Sequence, residues 1–538
     1  DTAHGDYAAN VALVVAKEAG QSPRAIAEQL QTALTDQIEY VDRIDVAGPG
    51  FLNFYLARDF FQAATQRVLE QGNEWGNNGS WQGKTVMVEY TDPNPFKEFH
   101  IGHLFTNAVG ESVARLAMMQ GADTKRLCYQ GDVGLHVAHA LWGLQDMGVT
   151  PGDALDSTIL GTAYARGATA YKEGDEAIVG AIKSINKVVY ERSDEIITAL
   201  YDQGRAISLE YFESIYQLVG TDFDHYFFES EAGPLGKTLV EENSQVFPES
   251  NGARVFKGEE HGLHTRVFIN REGLPTYEAK ELALAKLKED VIGPYDLSII
   301  STANEINEYF KVLLAAMSYV YPDLAAKTEH IGHGMVRLQT GKMSSRTGDV
   351  IPARTFIDEV AAAASEKIAA VAHDNTGSID DTDFLARQIA IAAIKYTTLK
   401  VSIEHDTVFD KERALSFEGD SGPYLQYTHA RIHSVFEKAT AAGVEISSTS
   451  APETPYAVEH LLYRFEEVIE QAFNERAPHK VTGYLTELAS AFNTFYATEK
   501  IADPGDEHAP YKAALAQVVA QTLKNGLWVL GIEAPERM

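Results

Sequence analysis

The sequence is almost without cysteine, since Cys128 is the single one among 538 residues. One cysteine excludes an internal disulfide and any zinc site built from several cysteine ligands. Cys128 lies in a stretch with the pattern of a buried strand, so we expect it to be a core residue. Long apolar runs are also missing, because none reaches the roughly 20 residues that a membrane-spanning helix needs.

Positive charge is scarce as well. The chain has 45 lysines and arginines against 77 aspartates and glutamates, which gives a formal net charge of −32 at pH 7. The part from residue 381 to the end also has more acids than bases, 23 against 14. Binding to a nucleic-acid backbone depends on basic side chains that neutralise phosphates. Composition alone therefore argues against RNA or DNA as a partner, unless the basic residues gather on one face.

A strand, loop, helix and strand unit is predicted between residues 84 and 130. Thr85 to Tyr90 is rich in β-branched and aromatic residues, and Thr124 to Tyr129 returns as a second apolar strand. Between them, apolar residues recur at helical spacing from Gly102 to Gly121. This order is typical of a parallel, doubly wound sheet, in which ligands bind at the carboxyl ends of the strands.

The segment from Pro95 to His103 joins the first strand to the helix and contains the motif H-x-G-H. A helix N-terminus offers free backbone N–H groups that suit a polyphosphate. His100 and His103 share one face of the helix and can donate hydrogen bonds to phosphate oxygens, while Gly102 allows a nucleoside to approach the backbone. The alternative is that the two histidines only cap the helix.

A second motif, Gly341 to Arg346, follows a predicted strand at Glu329 to Leu338. It contains glycine, serine, Lys342 and Arg346, with little apolar content, which is typical of a mobile cationic loop. Such a loop can bring positive charge to a triphosphate and then release pyrophosphate. On its own, K-M-S is a weak signal.

The order of these two motifs carries a resemblance to a known family. H-x-G-H followed much later by K-M-S resembles the HIGH and KMSKS signatures of class I aminoacyl-tRNA synthetases, on the two halves of a Rossmann fold. Further blocks that span the chain resemble arginyl-tRNA synthetase, at residues 4–10, 48–54, 88–95, 129–134, 342–348, 421–431 and 530–538. The sequence is identified as a member of that family.

The resemblance implies an arginine-tRNA ligase. Arginine and ATP, accompanied by Mg²⁺, would give arginyl-adenylate and pyrophosphate, and arginine would then pass to the terminal ribose of tRNA(Arg). A family member is expected to need its tRNA before it activates the amino acid. No tightly bound metal is expected, and the partners are tRNA(Arg), L-arginine and ATP, with no membrane. A monomer in the cytoplasm is expected.

The resemblance also implies roles for individual residues. Catalytic roles fall on His100, His103, Lys97, Lys342, Ser344 and Arg346. Arginine would be held by Glu89, Asn94, Tyr277 and Glu281, and ATP by Gly102, His103, Gly131, Asp132, Met335 and Lys342. Contacts with tRNA would come from Tyr7, Asn10, Tyr424, Gln426, Tyr427 and Arg431. A guanidinium needs carboxylates and other acceptors in its pocket, which agrees with the second set.

Two positions depart from the family pattern. Glu281 stands where aspartate is more usual, so its contact with the guanidinium has one more methylene. Ser345 stands where the signature loop commonly has lysine, which leaves a positive charge to be supplied from elsewhere. Lys97, three residues before His100, and Arg346 are the two candidates, and Lys97 is preferred because an ammonium and a guanidinium differ in geometry.

The fold class expected is α/β. It combines a Rossmann-type, doubly wound parallel sheet carrying an insertion with a small α+β N-terminal domain and an all-α C-terminal anticodon-binding domain. The boundaries expected are 1–79, 80–354 with the insertion at about 140–275, and 355–538. Residues 176–219 have extended helical periodicity. The alternatives are a different class I synthetase, such as that for lysine, an RNA-binding relative without activity, and a small-molecule nucleotidyltransferase.

Overall fold

The computed structural model describes residues 4–338, 351–372 and 382–538. The second motif, with Lys342, Ser344 and Arg346, lies outside these residues. The strands are β1 (Tyr7–Ala9), β2 (Val41–Ala47), β3 (Phe51–Leu56), β4 (Thr85–Glu89), β5 (Asp123–Gln130), β6 (His225–Phe228), β7 (Glu249–Ser250), β8 (Ala253–Phe256), β9 (Arg266–Ile269), β10 (Leu297–Ala303), β11 (Thr328–His333), β12 (Val336–Leu338) and β13 (Thr407–Phe409).

Helices make up most of the remaining regular structure. The α-helices are α1 (Val11–Ala19), α2 (Pro23–Leu34), α3 (Arg58–Gln71), α4 (Ile101–Met119), α5 (Leu135–Asp146), α6 (Ser157–Glu173), α7 (Glu176–Glu191), α8 (Glu195–Val219), α9 (Glu229–Glu242), α10 (Tyr277–Ile292), α11 (Asn307–Val320), α12 (Pro322–Ala326), α13 (Ala353–Ala372), α14 (Thr382–Leu399), α15 (Lys411–Ala414), α16 (Gly422–Ala441), α17 (Glu459–Leu462), α18 (Phe465–Asn474), α19 (His479–Thr498) and α20 (Ala509–Val529). Short 3₁₀ turns lie at Gly72–Glu74, Gly258–His261 and Asn304–Ile306. Among the described helices, none has the length and apolar character to cross a membrane.

The central sheet is parallel and has the strand order β11-β10-β4-β5-β6. From β4 the chain adds β5 and β6 on one side, whereas the later strands β10 and β11 lie on the other side of β4. The direction in which strands are added therefore changes at β4, and ligands of doubly wound sheets bind at such a switch point. Helix α4 is buried along almost its whole length, because it packs between the sheet and the C-terminal helices. The predicted strand, helix and strand unit is confirmed, and Cys128 is fully buried in β5 as expected.

One sequence expectation needs correction. The strand predicted at residues 329–338 is two strands, β11 and β12, separated by Gly334 and Met335. The helical periodicity at 176–219 is confirmed, and it covers two helices, α7 and α8, because Arg192 ends the first in a left-handed conformation with φ +52° and Asp194 caps the second. Hydrophobic periodicity continues across such a break, so it does not show where the backbone turns.

The N-terminal domain packs against the C-terminal helices. Its three-stranded antiparallel sheet has the order β1-β3-β2, and α1 and α2 cover it. Polar contacts then join this end of the chain to α17 and its neighbours: Asp6 to His460 at 2.6 Å and Arg58 to Glu459 at 2.7 Å. Helices α5 to α8 form a separate apolar cluster beside the central sheet.

Candidate active site

The loop between β4 and α4 has an unusual backbone. Thr91, Asp92 and Phe96 have positive φ angles of 82°, 44° and 69°. Such conformations cost about 1 to 3 kcal/mol each in non-glycine residues and persist only where the surroundings hold them. Here the ring of Phe96 is fully buried against Gly204, where any Cβ would overlap it, and its backbone N–H donates to Ser208 Oγ at 2.9 Å. The loop that carries the first motif is therefore held in a defined path.

His100 and His103 start helix α4 as a reciprocal cap. The Nδ1 of His100 accepts from the Gly102 N–H at 3.1 Å, and the Nδ1 of His103 accepts from the His100 N–H at 3.2 Å. Both imidazoles therefore carry their proton on Nε2 when neutral. Their rings stack 3.7 Å apart, and a Cβ at Gly102 would lie 2.9 Å from the His100 ring. The two histidines can therefore cap the helix and donate to a phosphate at the same time, because capping uses Nδ1 and leaves Nε2–H for the ligand.

Burial keeps these two imidazoles neutral. Loss of hydration, and after it the positive charge of Lys97, lower the pKa of His100 to about 4. The pKa of His103 is well below its usual range, first through burial and then through His100 and Lys97. A neutral imidazole at this position donates a hydrogen bond without requiring a buried counter-ion.

Lys97 lies beside the histidines as a cation without a salt bridge in the described part of the chain. Its ammonium is 5.1 Å from the ring centre of Tyr164. Burial lowers the pKa of Lys97, and the Glu229 carboxylate opposes that shift. A half-buried ammonium that has no acid of its own can bind an anionic ligand without first breaking an ion pair.

Gly131 and Asp132, after β5, complete the edge next to the first motif. A Cβ at Gly131 would overlap the side-chain oxygen of Asn94. Asp132 is fully buried, and its carboxylate accepts from the N–H and Oγ of Ser230, from Tyr201 OH at 3.2 Å and from Arg205 Nε at 2.9 Å. Asp132 thus joins β5, α8 and α9, with three of these hydrogen bonds on Oδ2 and one on Oδ1, and its contact with ATP stays a prediction.

Met335 lies between β11 and β12, and its backbone is also engaged. Its N–H donates to Asp406 Oδ1 at 2.9 Å, and its carbonyl accepts from the Thr407 N–H at 3.0 Å. The side chain of His333, two residues earlier, reaches Thr106 Oγ1 on α4 at 2.9 Å. His333 was not predicted to lie at this site, although His330 to His333 repeats the H-x-G-H pattern.

The residues that follow the second motif form backbone hydrogen bonds with the first motif. Ile351 accepts a backbone hydrogen bond from Ile101 at 3.2 Å, and Ala353 donates one to Phe99 at 2.8 Å. The described chain on the C-terminal side of the second motif is therefore bonded directly to the H-x-G-H turn.

An acidic pocket lies on the other side of β4. Glu89 ends this strand, is 1% exposed and forms an ion pair of 2.6 Å with Lys288. Burial raises the pKa of Glu281 well above its usual value, and the Glu89 carboxylate raises it further. The pKa of Asp92 is raised well above its ordinary value by the same two causes, while the Tyr129 N–H donates to its Oδ1 at 2.8 Å. The pocket thus concentrates three carboxyl groups around one ammonium.

Tyr277 stands at the first turn of α10, and 56% of its surface is exposed. Burial of the hydroxyl end and the nearby Glu229 carboxylate raise the pKa of Tyr277 to about 12. Lys280 forms a buried ion pair with Glu229 at 2.6 Å and lies 5.4 Å from the Tyr277 ring centre. Motif reasoning missed Glu229, Lys280 and Lys288, because buried ion pairs leave no local pattern in a sequence.

The residues expected to contact tRNA differ in accessibility. Tyr427 is 40% exposed, and Arg431 lies over the ring of Tyr496 at 4.6 Å. Gln426 is fully buried, where its amide donates to the Glu533 carbonyl at 2.8 Å, so it presents no surface to RNA and we withdraw it from the set. A polar residue in a helix next to exposed ones cannot be distinguished from them by type alone.

The other three expected RNA contacts lie at domain surfaces. Tyr424 is half-buried, with its hydroxyl accepting from Asn493 at 2.9 Å. Tyr7 is 40% exposed, but its hydroxyl donates to Glu467 on α18. Asn10 is exposed before α1, and its side chain makes no capping hydrogen bond.

A parallel nucleotide-binding sheet with H-x-G-H at the first helix N-terminus and a helical C-terminal domain defines a class I aminoacyl-tRNA synthetase. Comparison with known proteins narrows the class. Residues 64–411 match the class I (R) tRNA synthetase catalytic domain, residues 425–538 the DALR anticodon-binding domain, and residues 1–56 the arginyl-tRNA synthetase N-terminal domain. The chain belongs to the arginyl-tRNA synthetase family.

Individual members of this family are similar to the chain along nearly its whole length. The arginine–tRNA ligase of Clostridium kluyveri is 30% identical over 99% of this chain and 94% of the relative. The structure of Thermus thermophilus arginyl-tRNA synthetase matches at 26% identity and a TM-score of 0.77, covering 99% of this chain and 94% of that one. The Plasmodium falciparum enzyme, at 20% identity, shares the fold with a TM-score of 0.79 over 100% of this chain and 94% of its own.

Proposed function

We propose that this protein is an arginine-tRNA ligase that activates L-arginine with ATP and transfers it to the 3′-terminal ribose of tRNA(Arg). Family membership along the entire chain supports the activity. The observation that carries the proposal is local. A pair of neutral imidazole donors lies at one end of the loop that follows β4, and a pocket with one buried and two half-buried carboxyl groups lies at the other. The first suits a polyphosphate and the second a guanidinium.

The nucleotide half acts on the α-phosphate of ATP, which enters with Mg²⁺ as a substrate complex. The carboxylate oxygen of arginine attacks the α-phosphorus, the bond to the bridging oxygen breaks, and pyrophosphate leaves with its electron pair. Negative charge on the phosphoryl oxygens is stabilised by the Nε2–H groups of His100 and His103 and by the ammonium of Lys97. A ribose hydroxyl of the tRNA then attacks the acyl carbon, and AMP leaves.

The amino-acid half binds the guanidinium. Glu281 supplies a carboxylate that is not hydrogen-bonded in the described structure, and Asn94 in the loop and Tyr277 on α10 are further ligands that the resemblance implies. A guanidinium has five N–H donors in a planar fork, so a carboxylate with flanking acceptors recognises it better than it recognises an ammonium. Glu281 stands at a position of α10 where the family more often has aspartate. Its side chain is therefore longer by one methylene.

We also propose that Lys97, rather than Arg346, replaces the lysine that the signature loop lacks. The absence of a salt bridge to Lys97 in the described structure supports this assignment, because its ammonium is free for phosphate. The K97M variant is expected to lose about tenfold or more in the rate of adenylate formation, and R346M is expected to lose less. Equal activity of K97M and wild type in pyrophosphate exchange would reject the assignment.

For tRNA we propose contacts from Tyr427, Arg431 and Tyr424 on α16 and from Tyr7 and Asn10 in the N-terminal domain. Exposed aromatic rings can stack on unpaired anticodon bases, which compensates in part for the low basic content of the chain. A monomer working in the cytoplasm, with no resident metal, completes the proposal.

The direct test is aminoacylation. Purified protein is mixed with ATP, Mg²⁺, radiolabelled arginine and total tRNA, and acid-precipitable label is followed with time. Label in RNA that depends on ATP and is lost after mild base treatment supports the ligase. Precipitable label with lysine instead of arginine would move the assignment to another synthetase. Stoichiometric binding of tRNA without ATP consumption would identify an inactive relative.

A further inference from the structure

The amino-acid pocket contains a resident cation that no motif indicated. Lys288 lies two helical turns after Glu281 on α10 and therefore on the same face of the helix. Its side chain is 2% exposed, and its ammonium is 2.6 Å from Oε2 of Glu89. Lysine is rarely buried to this extent unless an acid pairs with it. Glu89 is thus already bound to a cation before any substrate arrives.

The other two acids of the pocket, Asp92 and Glu281, have no such ion pair among the described residues. Burial and Glu89 raise the pKa of Glu281 and of Asp92, whereas Lys288 acts on both in the opposite direction. One ammonium stabilises one carboxylate, so the other two groups are held in part as neutral acids until a second cation enters. The described pocket has a place for one more positive charge.

Unpaired hydroxyl groups mark where that charge would enter. The phenol oxygens of Tyr129 and Tyr309 are buried and have no hydrogen-bond partner among the described residues. Burial raises the pKa of both phenols, and Glu281 contributes to both shifts. Two of the buried oxygens without partners therefore lie near Glu281, whereas Tyr295 OH, which also has no partner among the described residues, lies beside the Glu89–Lys288 pair. Buried polar groups of this kind are normally satisfied, which indicates that a ligand completes them.

We infer that Lys288 is a positioning residue for arginine selection, because its ammonium fixes the Glu89 carboxylate and supplies the first of the two positive charges that the pocket requires. The substrate guanidinium supplies the second charge and binds Glu281 with the hydroxyls of Tyr129 and Tyr309. This inference rests on the proposed function and deepens it. Glu89, expected as a direct ligand, then acts as the oriented anion behind the binding surface.

Loss of the Lys288 ammonium has a defined consequence. Without it, Glu89 is a buried carboxylate that must turn away, take up a proton or capture the guanidinium in a different geometry. Binding of arginine weakens in each case. The reacting atoms lie on the nucleotide side of β4, so the rate at saturating arginine and the KM for ATP change little.

The test compares three variants in arginine-dependent pyrophosphate exchange with tRNA present. K288M removes the ammonium, and K288R keeps a positive charge. K286M is the matched control, since Lys286 lies on the same helix but its side chain is 41% exposed and pairs with Glu289 and Asp290. We expect K288M to raise the KM for arginine about thirtyfold or more with kcat within about threefold of wild type. K288R retains most of the affinity, and K286M behaves as wild type.

The pH profile separates this role from a purely structural one. The ionisable groups that face Lys288 and its partners from the surrounding elements are Glu89, Asp92, Tyr129, Glu229, Glu281, Tyr295 and Tyr309. Lys288 favours the ionised form of the acids, which is the form that binds a guanidinium. The pH at which the KM for arginine falls should therefore be higher in K288M than in the wild type. A general loss of folding would lower the activity without moving the midpoint of this pH profile.

Three results would overturn the inference. They are an unchanged arginine KM in K288M, a loss confined to kcat, and equal losses in K288M and K286M. If K288M fails to fold, the E89Q/K288M double variant leaves no buried unpaired charge, and an arginine KM equal to that of wild type would again overturn it. Absence of arginine-dependent exchange in the wild-type protein would instead refute the proposed function, so the two failures are distinguishable.

Discussion

The nucleotide half and the amino-acid half of the site begin within a dozen residues of each other and use opposite electrostatics. On the nucleotide side, His100 and His103 are half-buried and neutral, and they present N–H donors. On the amino-acid side, Glu89, Asp92 and Glu281 crowd around one ammonium. A neutral donor can be buried without a counter-ion, whereas an ionised carboxylate cannot. The nucleotide half is therefore complete when empty, and the amino-acid half is complete only with a cationic ligand.

The largest effect is expected on the nucleotide side. Replacement of both histidines, H100A with H103A, removes two donors to the phosphoryl group and should lower kcat for pyrophosphate exchange about a hundredfold to a thousandfold, with little change in the KM for arginine. H261A removes an exposed histidine of the small β7–β9 region and serves as the control. If the double variant raised the KM for arginine and kept kcat, the assignment of the two histidines to the nucleotide half would be wrong.

The next effect belongs to the amino-acid side. E281Q keeps the shape of the side chain but removes its charge, so the KM for arginine should rise about thirtyfold, while the KM for ATP stays near wild type. Steady-state exchange at varied arginine measures the change, and D290N, an exposed acid on the same helix, is the control. E281D tests the extra methylene. An arginine KM in E281Q equal to that of the wild type would exclude Glu281 as a ligand.

A third prediction concerns pH. The pKa of Glu281 is raised, so this group is protonated where an ordinary glutamate is ionised, and only the ionised form pairs with a guanidinium. The KM for arginine should therefore fall as pH rises through the folded-state pKa, and E281Q should flatten the profile. His100, with a pKa of about 4, should add no step near neutral pH. A step near pH 6.5 that H100A removes would contradict the neutral-donor account.

The smallest effect is on stability. His136 is buried below Gly131, donates to its carbonyl at 2.7 Å and has its pKa lowered by burial to about 3. The unfolded chain binds the proton at higher pH than the folded chain does, so this histidine lowers the free energy of unfolding as pH falls below its unfolded value. H136N should reduce that slope by at most about 1.4 kcal/mol per pH unit, measured by denaturant unfolding. A slope identical to that of the wild type would show that folding does not lower the pKa of His136.

The parts of this site that could be predicted from the sequence are those with a local signal. The strand, helix and strand unit follows from periodicity, and His100, Gly102 and His103 follow from their spacing at a helix start. The resemblance added Glu89 and Glu281. Each of these residues is recognisable within a few neighbours of the chain.

The parts that could not be predicted depend on contacts between distant segments. Lys288 is 199 residues from Glu89 in the chain, and nothing around it distinguishes it from the exposed lysine at 286. Gln426 was expected to meet a ligand, but it binds the C-terminal tail, and the hydrogen bonds that join Asp132 to α8 and α9 were not predicted. Residue type limits what a side chain can bind, and the tertiary fold decides whether a ligand or the protein occupies it.

The most direct measurement is arginine-dependent exchange of pyrophosphate into ATP, with arginine, lysine and cysteine compared in the presence and absence of tRNA. The account predicts exchange with arginine alone, and only when tRNA is present. Exchange with lysine or cysteine would contradict the acidic pocket as a guanidinium site, and no exchange with any of them would contradict an active ligase.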